Sequence, residues 1–211
     1  MGHINTCVEL SYFHIGNAIG GSQEWMTDPW MRLGGCAALA AVDSCIYFTL
    51  FCGEKRLCPF DVHHLTKALY RRFAGIMKPY LRPRYSGVSK LSLYEDGMNA
   101  YLKDMKNERL GMKLFPAGQP LVDAQAVLTG QIDRKYIVPF LLLNPVSREW
   151  RDYQWHWFLI AGYCWKEGRL FVKTITYGNS TWLPFDGLWD TMHDDNGGMI
   201  LYYFREDCKS I

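Results

Sequence analysis

Net charge is nearly absent from this sequence. Its 23 lysines and arginines stand against 21 aspartates and glutamates, leaving +2 with the histidines neutral. That balance gives no electrostatic reason to expect a nucleic acid or an anionic membrane as partner. Arg71, Arg72, Lys78, Arg82 and Arg84 form a local basic run, which reads as a solvated helix face and loop. Long apolar runs are lacking too: FLLL and FLIAGY have strand length, so no membrane span is expected. The N-terminal MGHINTCVELSYFHIGN has no basic patch followed by an apolar segment, so no signal peptide is expected. Seven cysteines are present without a CxxC pair of zinc spacing, and neither a metal nor a cofactor is expected. The expectation is a reduced, cytoplasmic, soluble protein of undetermined oligomeric state. Repeats, low-complexity tracts and dividing linkers are also missing, which favours one domain over residues 1–211.

What is there is core-forming material. Of 211 residues, 49% are hydrophobic and 15% aromatic, enough to exclude disorder. Residues 14–35, rich in glycine and polar side chains, read as an irregular loop leading to Cys36. CAALAAVDSCIYFTLF, from Cys36 to Phe51, is apolar almost all round and predicts a central buried helix. Asp61 is a candidate N-cap for an amphipathic helix over DVHHLTKALYRRFAGIM. LSLYEDGMNAYLKDMK and PLVDAQAVLTGQID predict two more helices. After Asp133 the pattern turns to strands: YIVPFLLLN, WHWFLIAGY, RLFVKTITY and GGMILYYF, with STWLPF as a short addition and FDGLWDTM as a helical turn. The plan is α+β, with a mainly helical part at 1–133 and a mainly antiparallel sheet part at 134–211.

The candidate chemistry is a thiol and an imidazole. Cys36 opens its helix, where free backbone N–H groups and the helix dipole favour thiolate. His156 lies at the start of a strand. Alternation puts Trp155, Trp157, Leu159 and Ala161 on one face and His156, Phe158 and Ile160 on the other. A cysteine paired with an imidazolium can fall from about 8.5 to roughly 3 to 4. That is about 6 to 7 kcal/mol of differential stabilisation. Backbone N–H groups at the same helix start can help hold an oxyanion. Taken alone, a histidine between tryptophans reads as structural, and Cys36 could be a small core hydrophobe. Cys45 and Cys52 read as core, and Cys7, Cys58, Cys164 and Cys208 share no metal spacing. His63 and His64 read as surface residues, and His193, Asp194 and Asp195 as part of a solvated hairpin loop. Trp25, Trp30, Trp150, Trp155 and Trp157 read as aromatic core, with a ligand groove as the alternative.

LGGCAALAA followed by HWFLIAGY resembles the papain-like cysteine peptidases, and more closely their bacterial branch related to double-glycine peptidases. VPFLLLN and FVKTITYGNSTWLPFDGLW resemble that branch's flanking strand and final segment, so the likeness spans about residues 14–204. It implies a papain-like fold and a hydrolase in which Cys36 attacks a peptide or amide carbonyl and His156 is general acid and base. In the family an Asn or Asp orients the histidine. Placing ITYG on the family's Asn-Ser-Trp-Gly puts Ile175 there, leaving Thr174, Thr176 or Asn179 for the role. The family's oxyanion glutamine lies about six residues before the cysteine. That position is Trp30 here, and Gln23 and Asn17 are the nearby amides. Acyl transfer by the same pair, a silent binding protein on the same scaffold, and an unrelated α+β protein with a structural cysteine are the alternatives.

Overall fold

A computed structural model describes residues 6–84, 87–145, 148–189 and 197–205. His193, Asp194, Asp195 and Cys208 lie outside the described residues. The chain begins with three short strands, β1 (Cys7–Glu9), β2 (His14–Ile15) and β3 (Ala18–Ile19). Four helices follow: α1 (Pro29–Gly34), α2 (Cys36–Phe51), α3 (Lys67–Met77) and α4 (Leu91–Asp104). Then come β4 (Leu110–Pro116), α5 (Leu121–Asp133) and β5 (Val138–Leu142). The rest is β6 (His156–Lys166), β7 (Arg169–Thr176), β8 (Asn179–Pro184), α6 (Phe185–Trp189) and β9 (Gly197–Phe204). The larger sheet is antiparallel in order β4-β9-β5-β6-β7-β8, with β1 also pairing β6. The architecture is α+β, and no described helix is long and apolar enough to cross a membrane.

Helix α2 is the structural axis. Its alanine-rich first half favours helix and presents little bulk, and every residue from Cys36 to Phe48 is buried. It packs on β6 and α3. The preceding helix starts where the Asp28 side chain accepts from the N–H groups of Trp30 and Met31, with Pro29 in its first turn. Gly35 ends α1 and immediately N-caps α2. The cysteine is thereby fixed as the first helical residue by two helices that share one cap.

Strand β6 is central in every sense, with nine consecutive buried residues from His156 to Cys164. It pairs β5 over 156–160 and β7 from Leu159 onward, and β1 continues β5's edge at Gly162–Cys164. The register between Ile160 and Tyr163 shifts by one residue, a β-bulge that interrupts the simple alternation expected along this strand. Two-residue turns close both following hairpins. Glu167–Gly168 joins β6 to β7 and Tyr177–Gly178 joins β7 to β8, all four residues having φ between 50° and 79°. That left-handed pair is the type I′ geometry matching strand twist.

Several expectations need correction. The 14–35 segment is not simply irregular, since it holds β2, β3, a 3₁₀ turn at Gln23–Trp25 and α1. The predicted helix from Asp61 is broken. Asp61 caps a 3₁₀ turn at Val62–His64, Leu65 is extended, and Thr66 caps α3 through Leu69 N–H. The residues before 133 are less helical than expected, because β1 and β4 join the sheet. The cysteines are not all reduced: a disulfide joins Cys7 and Cys164 across the β1–β6 register.

Candidate functional site

The start of α2 meets the start of β6. Cys36 and His156 wall a common cleft of about 480 Å³, together with Leu33, Gln154, Trp155 and Tyr177. They also wall a small pocket of about 30 Å³ that extends along α2 to Asp43. That volume has room for about two waters.

Of the three orienting candidates, Thr176 is the one brought to the histidine. His156 Nε2 lies 2.7 Å from Thr176 Oγ1, and the Tyr177 ring stacks on the imidazole at 4.8 Å with 2° between the planes. The stacking follows from the β7–β8 turn, in which Tyr177 has φ of 53°. Trp155, directly before His156, has φ of 56°. A bulky residue in the left-handed region is strained, typically by about 1–3 kcal/mol, and such positions cluster at functional sites. Trp155 is such a position beside the imidazole, whereas Tyr177 takes its φ from the type I′ turn. With Nε2 engaged, Nδ1 is the ring nitrogen left for proton exchange.

The other orienting candidates are not brought to the histidine. Thr174 is buried and donates to the Thr181 carbonyl at 3.0 Å, holding β7 to β8. Asn179 leans on the Tyr177 carbonyl and, with Asn17 from the β2–β3 turn, walls a separate surface depression across Tyr177. Asn17 is therefore not brought to the cleft that holds Cys36.

Gln23 is placed differently. It walls both the cleft and the small pocket beside Cys36. Its Nε2 donates to the Arg32 carbonyl at 2.7 Å, which fixes the amide plane and leaves its second hydrogen free. Its Oε1 is buried with no hydrogen-bond partner. The loop carrying it is clamped from beneath by Asp43. That carboxylate accepts from Tyr70 OH at 2.6 Å, Tyr12 OH at 3.1 Å and Gly21 N–H at 3.2 Å. Gly21 passes so close to Tyr70 that a Cβ there would lie 1.9 Å from its ring. Sequence reasoning missed this cluster, although it carries a signal: Asp43 is an acid in an otherwise apolar helix, two turns from Cys36 on the same face.

The electrostatics set the resting protonation. Burial pushes the Cys36 thiol up, while the backbone N–H groups of Trp157, Ala37 and Cys36 oppose it. Burial alone pulls His156 down to about 4. No hydrogen bond joins the two side chains. Burial thus favours the neutral thiol and the neutral imidazole, against the thiolate–imidazolium pairing expected from the helix start. Burial also raises Asp43 to about 6, against the hydrogen bonds from Tyr70, Gly21 and Tyr12. Among the described residues no group of three or more His, Cys, Asp or Glu side chains could hold a metal ion.

Comparison with family models, with curated proteins and with solved structures returned no match to this chain.

Proposed function

We propose that this chain is a papain-like thiol hydrolase acting on a peptide or amide bond. One observation carries the reading. A cysteine at the first residue of a buried helix shares a cleft with a histidine whose Nε2 is held by a threonine. In the proposed cycle the neutral imidazole holds its proton on Nε2, toward Thr176 Oγ1. Nδ1 accepts the Cys36 proton as the sulfur attacks the carbonyl carbon. The imidazolium then protonates the leaving amine, the C–N bond breaks, and a thioester to Cys36 remains. Water, deprotonated by His156, attacks that thioester and restores the thiol. The developing oxyanion would meet the Cys36 N–H and the free hydrogen of Gln23 Nε2. Because burial favours the neutral pair, the thiol proton passes to Nδ1 as the sulfur attacks, and the oxyanion donors stabilise the charge that develops on the carbonyl oxygen. Acyl transfer differs only in an amine replacing water in the last step.

A second reading, a silent binding scaffold, is favoured by the same buried neutrality of Cys36 and His156. Mass-spectrometric labelling with a peptide bearing a thiol-directed electrophile separates the two. A hydrolase gives labelling at Cys36 that falls at least about tenfold in His156→Ala, since a positioned base contributes about 10²–10⁴. Labelling that ignores His156, or spares Cys36, overturns the proposal.

A further inference from the structure

The cleft is walled by exposed apolar side chains, and a separate groove at the start of α1 is walled by exposed cations. Trp30, Leu33, Trp155 and Tyr177 are 54%, 63%, 45% and 42% exposed, although aromatic and aliphatic side chains of this size are normally covered. Leu33, Trp155 and Tyr177 wall the cleft at Cys36. Trp30 lies one turn back on α1, about 4.5 Å along the helix axis from Leu33. It walls a neighbouring groove of about 510 Å³ whose other side is Lys78, Pro79, Arg82, Pro83 and Arg84. The exposed face of α1 therefore joins the reactive end to a basic one.

This basic wall is built in. Gly34 lets the 82–84 segment lie directly on the end of α1, where a Cβ would come within 2.6 Å of the Arg84 carbonyl oxygen. Pro79 and Pro83 stiffen the segment. Lys78 is already paired with Asp28 at the α1 N-terminus. Among the described residues, Arg82 and Arg84 have no ion-pair partner, and no carboxylate walls this groove. A substrate passing from Cys36 along α1 would meet apolar surface first and two uncompensated guanidinium groups next. The sequence alone presented these arginines as part of a solvated face, because it does not reveal that Trp30 stands opposite them.

We infer that the cleft takes an acidic peptide, with apolar or aromatic side chains at the bond beside Cys36 and a carboxylate seated on Arg82 and Arg84. The inference rests on the thiol-hydrolase reading for what happens at Cys36, but the groove's charge preference can be measured separately.

The full-length chain is alkylated with a small thiol electrophile, and Cys36 modification is followed by mass spectrometry against added octapeptides. The peptides share a Leu-Phe centre and carry Glu, Gln or Lys at both ends. The Glu-ended peptide is expected to protect Cys36 at about tenfold lower concentration than the Lys-ended one, as two exposed charge contacts would give. Raising salt from about 50 to about 500 mM should reduce that ratio to within about threefold. Arg82→Glu combined with Arg84→Glu should invert the preference, so that the Lys-ended peptide protects at the lower concentration. Equal protection by all three peptides overturns the acidic-peptide assignment and leaves the thiol reading standing. Charge-selective protection with alkylation unaffected by His156→Ala supports the groove and removes the catalytic reading. Failure of the electrophile to reach Cys36 overturns both.

Discussion

Replacing Asp43 by asparagine tests whether burial or hydrogen bonding governs the acid beside the Cys36 cleft. Three donors converge on this carboxylate, yet burial wins and lifts it from 3.8 to about 6. An acid bound more tightly to its proton when folded adds stability below its unfolded value. That contribution is lost as pH rises through the folded value. The window runs from about pH 4 to about pH 6, and two units amount to about 3 kcal/mol, of which 2–3 kcal/mol falls between about pH 4 and pH 7. The asparagine variant keeps acceptors for one tyrosine but turns an NH₂ toward a second donor. That costs about 1–3 kcal/mol at every pH, the usual penalty for a buried unpaired group. Urea unfolding followed by the fluorescence of the eight tryptophans would be run on both proteins from about pH 4 to pH 7.5. The stability advantage of the natural protein over Asp43→Asn should shrink by about 2–3 kcal/mol across that range. Contributions from other acids and from His156 cancel in the difference. Parallel curves would refute the reasoning. An advantage growing with pH would mean that Tyr12, Tyr70 and Gly21 hold the anion more firmly than burial opposes it.

Other expectations follow from single contacts. Thr176→Val removes the partner of His156 Nε2 and should lower the Cys36 labelling rate, while Thr176→Asn, which restores a polar partner, should recover part of it. Gln23→Ala should reduce turnover of an amide substrate by about 10²–10³ with little change in KM, the usual loss for one oxyanion donor. Gly21→Ala forces Tyr70 or the loop to move and should destabilise the protein by about 1–3 kcal/mol, the cost of overpacking, read as a lower urea midpoint. Intact mass before and after reduction should reveal the Cys7–Cys164 bond, and Cys7→Ser should cost about 2–4 kcal/mol in non-reducing unfolding.

The helix carrying the thiol was legible to the residue, because a glycine junction is followed by a run that is apolar on nearly every side. The strands after residue 133 were legible from their aromatic and β-branched character. β4 was not, since LGMKLFP carries glycine, lysine and proline, and its pairing partner β9 lies far along the chain. Nor can cysteine spacing reveal a bond spanning 157 residues. At the site, Thr174 and Thr176 are two residues apart and differ only in what lies opposite. One meets the Thr181 carbonyl and the other the imidazole. Gln23 and Asn17 are likewise separated by the fold of the glycine loop around Asp43, a long-range contact that local patterns do not encode.

The bulge in β6 has a bearing on how this sequence can change in length. An extra residue between Ile160 and Tyr163 shifts the side-chain alternation by one, so the segment bearing His156 and the segment bearing Cys164 are phased independently. Removing a single residue there would turn one half of the strand over, facing either the imidazole away from the cleft or Cys164 away from Cys7. Gain or loss of length in this half of the chain is therefore confined to the hairpin tips. The middle of the strand must be inherited as a fixed count.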